Sequence, residues 1–594
     1  MSYRRKKLLA LFFAMALSMT AVAGCTGIKS STGNVVSSET ETNAEETSAQ
    51  SEAGTFSSAD MFTERDLAGT YEESGAVYVT LSDDGITGET DGVVINGQTV
   101  TITAEGTYIF SGTLSEGQIV VDADNAKVQI VFDNVDITCA SSAAVYVKSA
   151  EKVFVTLAEG SQNTLRNTDE YVAIDDNNID AVIFAKSDLT LNGTGSLTII
   201  SAEGHGIVSK DDLKIIGGTY DITAAGHALS GKDSVRIADG TFILTAEKDG
   251  IHAENADDEE KGYIYIADGD FTITSDGDGM DASNIVQIED GTLDITAGGG
   301  SANSLKTHES DVPGGPGGGM PQNGEKLDGE SMPQMGEKPD GENMPQDTTT
   351  DESGTSTKGI KAGGGMYLNG GTYQIDSADD SIHSNANITI ADGTYTLATG
   401  DDGVHADDAL IVNGGTITVT ESYEGLEGLA VTINDGTIDI TASDDGINTA
   451  GEKMELNGGY IHILAGGDGV DSNGDLTING GEIYIDGPSD NGNSAIDYGD
   501  RSSAYVNGGM LVAIGSSGMA EGMSDSSKQE VLMVKLGEQM EAGDVELTDN
   551  EGNVIVSYTA LKSYDCVIIS TAEVESGATY TLTTSGTTTE VTAE

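Results

Sequence analysis

Residues 379–400 read DDSIHSNANITIADGTYTLATG and residues 401–422 read DDGVHADDALIVNGGTITVTES, so the chain writes one phrase twice in succession. The apolar residue after each opening marks the phrase at Ile207, Leu229, Ile251, Met280, Ile360, Ile382, Val404, Leu426, Ile447 and Val470. Most neighbours are 21 to 23 residues apart, and three successive steps from Ile360 to Leu426 are 22 each. A glycine keeps the same beat at 218, 240, 269, 291, 371, 393, 415, 436, 459 and 481. Two independent markers on one period predict a stacked solenoid.

Inside a phrase, aliphatic residues alternate with polar ones over three to five positions, as in Leu410–Ile411–Val412 and Ile417–Thr418–Val419. Period-2 alternation is strand, and the NG, DG and GG pairs between runs are turns. Three brief strands per 22 residues describe one rung of a parallel β-helix, an all-β solenoid. One rung cannot bury its Ile, Val and Leu alone, but stacked rungs bury them in a continuous column at a spacing of about 4.8 Å. The 79 glycines supply corners that need positive φ.

The ends and one interior segment break the period. MSYRRKK, the apolar LLALFFAMALSMTAV and the final VAGC resemble a bacterial lipoprotein signal, which predicts a signal peptide over 1–24 and lipidation of Cys25. Lipid attached there would be the only membrane contact and would place the protein outside the cytoplasm, anchored to the bacterial cell membrane. Residues 25–60, rich in Ser, Thr, Glu and Ala, read as a disordered tether. The solenoid is expected over 61–515, interrupted by a disordered insertion at 308–358 that holds six of the seven prolines. From 516 to 594 the period stops and hairpin-like strands read as a β module capping the open end.

Charge narrows the partners. A formal charge of −72 excludes nucleic acid as a general partner, because phosphate backbones are held by clustered Lys and Arg. Two residues before the apolar marker stand Asp249, Asp278, Asp380, Asp402, Glu424, Asp445 and Asp468, and one residue after it stand Asp281, His383, His405, Glu427, Asn448 and Asp471. Stacked at about 4.8 Å, each like-charge pair costs about 0.9 kcal/mol in water and several-fold more in a partly buried groove. A run of them calls for a cation. Calcium, which takes six to eight oxygen ligands, is the candidate cofactor, on Asp380, Asp402, Glu424, Glu427, Asp445, Asp468 and Asp471. The plainer reading is that Asp-Gly makes a good corner and acidic side chains keep the surface soluble.

A second column is basic. Lys148, Lys186, Lys210 and Lys232 each follow their marker by three residues, in a chain with only 27 Lys and Arg in all. Such a strip suits an anionic polymer. The alternative is solvated lysine that discourages lateral sheet association.

The phrases AAVYVKSAEKVFVTLAEGSQNTL, GDDGVHADDALIVNGGTITVT and SYEGLEGLAVTINDGTIDITASDDGIN resemble a family of bacterial surface carbohydrate-binding proteins. The resemblance implies a right-handed parallel β-helix similar to that of pectate lyases. It also implies calcium sites and affinity for extracellular polysaccharide, plant cell-wall and acidic glycans included. A non-catalytic binder is therefore expected, with a calcium-dependent pectate-type lyase as the alternative and an adhesin or structural stalk as the second. A lyase needs a base, usually Lys or Arg, beside a calcium-held uronate. None of the six arginines falls within the long acidic column. Without Trp, and with few aromatics, recognition must lean on hydrogen bonds, lysine and metal.

Overall fold

The computed structural model describes residues 55–88, 90–306, 356–451, 453–499 and 501–593. The expected signal peptide, Cys25, nearly all of the expected tether and all but the last three residues of the expected insertion lie outside these residues.

The repeated phrase becomes three strands. In one rung they are Ile382–Ser384, Ile388–Ile390 and Thr394–Thr399, with Ile382, Ile388, Ile390, Tyr395 and Leu397 buried. Each pairs in parallel with the next rung, Ile382 opposite Val404, Ile388 opposite Leu410 and Thr394 opposite Thr416. The three strands therefore stack into three columns, and among the described residues one continuous sheet of 45 strands results. The chain is a parallel β-solenoid, nearly all β. Its markers fall in register from Val145 through Ile183, Ile207 and onward to Val470 and Ile496.

Three local devices hold the stack. Buried aromatics pile face to face inside it, Phe242 on Phe271 at 4.6 Å and Tyr373 on Tyr395 at 4.5 Å. The glycine before the third column turns the corner at positive φ. At Gly393 (φ 122°) an added Cβ would lie 2.9 Å from the Tyr395 hydroxyl and 3.1 Å from the Gly371 carbonyl. On the surface, amides form a ladder: Asn434 donates to Asn413, Asn457 to Asn434, Asn479 to Asn457 and Asn507 to Asn479, each at 2.8–2.9 Å.

The rungs on either side of the insertion stack directly. Met280 pairs with Ile360, Val286 with Met366 and Thr292 with Thr372. At the amino-terminal side, Phe56, inside the stretch expected as tether, donates its N–H to Gln287 at 2.6 Å and stacks on Tyr263 at 4.3 Å. Two short helices follow, Ser58–Met61 and Glu64–Leu67, and Asp66 is buried against Lys152 at 2.5 Å. At the other end the parallel order stops: Met510–Gly515 pairs antiparallel with Tyr564–Ser570, which pairs antiparallel with Leu532–Met540. A separate four-stranded antiparallel sheet, Gly543–Thr548, Val554–Ala560, Thr579–Thr584 and Thr587–Thr592, packs around Val545, Leu547, Val556 and Leu582. Cys139 and Cys566 are buried and unpaired.

Because Ile382 is sealed between rungs, Ile382→Ala should cost about 2–5 kcal/mol in denaturant unfolding. A loss under about 1 kcal/mol would show that the rung is not closed there.

Candidate functional site

The paired acidic openings sit where the chain enters the first column. The backbone N–H two residues before each marker lies at that corner, and in most rungs a side chain from the rung before accepts it. His205 Nδ1 accepts from His227 at 2.9 Å and His227 Nδ1 from Asp249 at 3.2 Å. Asp249 Oδ1 accepts from Asp278 at 3.0 Å, and Asp278 Oδ1 from Lys358 at 2.7 Å. Asp380 accepts from Asp402 and Asp402 from Glu424, both at 3.2 Å. Asp445 accepts from Asp468 at 2.6 Å, and Asp468 from Ser494. Lys358 has no acceptor to offer, so the Asp380 N–H bonds Asp379 Oδ1 at 2.9 Å instead. A buried N–H needs a partner, and the short acceptors Asp and neutral His supply one at this reach. The acidic column is in the first place a device for joining rungs.

One carboxylate oxygen accepts the backbone N–H and the other faces neighbouring side chains. Over the first part of the column the chain neutralises the carboxylate charge itself. Asp249 Oδ2 lies 3.0 Å from His252 Nδ1, and Lys361 Nζ lies 3.4 Å from Asp278 and 3.3 Å from Asp281. Asp380 Oδ2 meets Lys358 at 2.6 Å and His383 at 2.8 Å. His405 lies 3.1 Å from both Asp402 and Glu427. Lys306 bridges Asp379, at 2.7 Å, and Asp401. Burial pulls the His405 imidazole down, but its bond to Asp402 and the charges of Asp380 and Glu427 outweigh this and raise it to about 10. The expectation of an uncompensated ladder therefore fails from Asp249 to Glu427, because lysine and histidine occupy offsets within the same column.

From Glu424 onward the compensation stops. Asp445, Asp468 and Asp471 present oxygens within 4.8 Å of one another, and no Lys, Arg or His pairs with them among the described residues. Burial, then the charges of Asp444 and Asp468, push Asp445 up to about 8. Burial outweighs the Ser494 N–H and, with Asp471 adding to it, raises Asp468 to about 7. Burial with Asp497 and Asp444 raises Asp471 to about 6. Glu424, also raised by burial and by Asp402, accepts from Asn448 at 2.9 Å. Of the seven carboxylates expected to hold metal, the structure brings Asp445, Asp468 and Asp471 together as an all-oxygen set. It commits Asp380, Asp402 and Glu427 to protein cations.

The four expected lysines divide. Lys148 is exposed and paired with Asp122 at 2.9 Å. The backbone N–H of Lys186 bonds the Val147 carbonyl, in register with Lys210 and Lys232 on their own preceding rungs. Lys210 lies over the Phe184 ring at 5.4 Å, and Lys232 pairs with Asp257 at 2.8 Å. Lys210 and Lys232 line a groove of about 400 Å³ together with Lys248, His205, His227 and His252, which Lys148 and Lys186 do not reach. His205, His227 and His252 stack along it at 4.9 and 4.1 Å. The same offsets that gave the acidic column also give His205, His227, His252, Lys358 and Lys361. Lys248 and Lys306 stand outside those offsets.

A family model described as carbohydrate-binding domain-containing protein matches residues 96–403 and 401–581. The chain belongs to this carbohydrate-binding family. A carbohydrate-binding domain-containing protein of Acetivibrio thermocellus is 41% identical over 135 residues, 22% of this chain and 47% of the relative. The match thus spans about half the length of that relative. A solved polysaccharide lyase-like protein from C. thermocellum, a gadolinium derivative, is 36% identical, with a TM-score of 0.37 over 38% of this chain and 92% of that one.

The raised carboxylates fix a pH dependence for this member of the family. Asp445, Asp468 and Asp471 hold protons in the folded state up to pH 6–8, against about 3.9 for an unfolded Asp. The folded state binds more protons, so stability falls as pH rises. This contribution is complete below about pH 4 and is lost through 6–8. In chelator, the melting temperature should drop from pH 5 to pH 8. In Asp445→Asn/Asp468→Asn, which keeps the amide-accepting oxygens and removes the charge, the drop should shrink. An unchanged slope would remove these groups from the account.

Proposed function

We propose that this chain holds extracellular polysaccharide non-catalytically, with preference for anionic glycans, in the groove of Lys210, Lys232 and Lys248. The observation that carries this reading is a groove whose lining sets three lysines and three histidines against two carboxylates, Glu254 and Asp257, on a chain of formal charge −72. Such a chain repels a polyanion at long range, so binding needs a local exception, and this groove is one. Family membership supplies the ligand class.

Calcium, in this proposal, sits on Asp445, Asp468 and Asp471, where buried, mutually repelling oxygens without a protein cation fit a hard divalent ion. Its chemistry there is charge neutralisation, stiffening the later rungs of a right-handed coil whose end the C-terminal module covers. The non-catalytic reading is supported by the bases on the column. His405 and Lys361 each face carboxylates that hold their protons on, which is opposite to what proton abstraction requires. Export and anchoring through Cys25 complete the proposal.

Retention on immobilised polygalacturonate tests it. Lys210→Ala/Lys232→Ala should elute markedly earlier, and retention of the wild type should weaken with salt, because exposed charge pairs are screened over about 10 Å at 0.1 M. Calcium should raise the melting temperature above that in chelator at equal ionic strength. Unsaturated product absorbing near 235 nm would overturn the non-catalytic reading, and retention indifferent to salt and to both substitutions would move the ligand off this groove.

A further inference from the structure

The same groove has a wall whose donor atoms are unlike those of the carboxylate cluster. His227 Nδ1, Asp249 Oδ2, His252 Nδ1 and Asp281 Oδ2 follow one another at 3.0, 3.0 and 3.4 Å. Two ligands about 2.0–2.1 Å from a tetrahedral ion lie about 3.3 Å apart. The first three atoms all lie within 4.8 Å of one another, Asp281 stands beside His252, and the four side chains are 14–19% exposed, so the place is largely dry.

His252 Nδ1 is buried and makes no hydrogen bond, although Asp249 Oδ2 is only 3.0 Å away. The nitrogen and the oxygen share a space without sharing a proton in good geometry. On the far side of the ring, His252 Nε2 faces Glu254 Oε2 at 3.5 Å, the carboxylate–imidazole arrangement that leaves Nδ1 as the ligating atom. Asp281 keeps its other oxygen for Lys361 at 3.3 Å. His227 Nδ1 accepts the Asp249 N–H at 3.2 Å and would exchange that bond for the metal. The comparable group around Asp380 and His383 differs, because there Lys358 Nζ lies 2.6 Å from the same Asp380 oxygen that His383 approaches.

We infer that His227, Asp249 and His252, with Asp281 within reach beside His252, form a transition-metal site of the zinc class, separate from the all-oxygen cluster at Asp445, Asp468 and Asp471. Imidazole nitrogens with carboxylates suit Zn²⁺ and its neighbours, whereas calcium takes oxygen. Since His227 and His252 line the groove, the bound ion adds positive charge to its wall.

Calorimetric titration of Zn²⁺ into the metal-free full-length protein, in saturating calcium, tests this without any glycan. One ion per chain is expected, with Co²⁺ in its place giving the visible absorption of a tetrahedral site. His252→Ala should weaken zinc binding by about 100-fold or more, and Glu254→Gln, which only orients the ring, by about 10-fold. Asp445→Asn/Asp468→Asn should leave zinc binding unchanged. Should His252→Ala melt early, Asp281→Asn, at an outward-facing position, replaces it and should also weaken binding. Absence of zinc binding in calcium, or binding that survives both His252→Ala and Asp281→Asn, overturns the site and means a protonated His252 simply pairs with its two aspartates. Either result leaves the polygalacturonate test untouched.

Discussion

Everything in this molecule depends on finding an acceptor for one backbone N–H per corner. Strand ladders satisfy the amides within the three columns, but the residue two before each first-column strand lies in the corner between columns. In most rungs the fold meets it with a side chain from the rung before, so those rungs are tied together by a bond that runs along the axis. An unpaired buried amide costs about 1–3 kcal/mol, which over many rungs exceeds the whole margin by which a domain is stable. Asp and neutral His are short enough to make this bond. The residue types at this position are therefore chosen by geometry before they are chosen by charge.

Charge is the consequence that the rest of the chain answers. Acidic acceptors at most corners stack carboxylates a few ångströms apart, and the structure resolves this in two ways. Between Asp249 and Glu427, lysines and histidines take places in or beside the column, and His252, Lys306, Lys358, Lys361 and His405 each face two or more carboxylates. Beyond Glu427 the column keeps its carboxylates without such partners, and their raised proton affinities record burial first and mutual repulsion second. One column thus contains a part whose carboxylates face protein cations and a part where, among the described residues, they face none. The histidine-bearing wall between His227 and Asp281 differs from both in its ligand chemistry.

Much of this was legible in the chain. The register markers Ile207 to Val470 are the residues that pair across rungs, because a buried aliphatic at a fixed offset is the strongest constraint a solenoid places on its sequence. The candidate site was less legible. Asp445, Asp468 and Asp471 come together as read, yet Asp380 and Asp402 are committed to Lys358 and His405, whose offsets were available in the same repeat. The contribution of Lys306 was not available, because a side chain beside an insertion has no offset to read. Likewise the division of the lysine strip follows from where Lys248 and the histidine rank open a groove, which is a matter of side-chain direction and not of spacing.

The forward-pointing hydrogen bond bears on how such a chain grows. A rung that carries its own acceptor for its successor, and presents its own amide to its predecessor, is complete at both junctions. Copying one whole phrase of the gene inserts a unit that fits where it lands, whereas copying part of one strands an amide at the seam. Lengthening by whole repeats is then nearly neutral to stability, and consecutive phrases such as 379–400 and 401–422, which keep one pattern while sharing Asp, Asp, His, Gly, Thr and Thr at matching places, are what such duplication followed by divergence leaves.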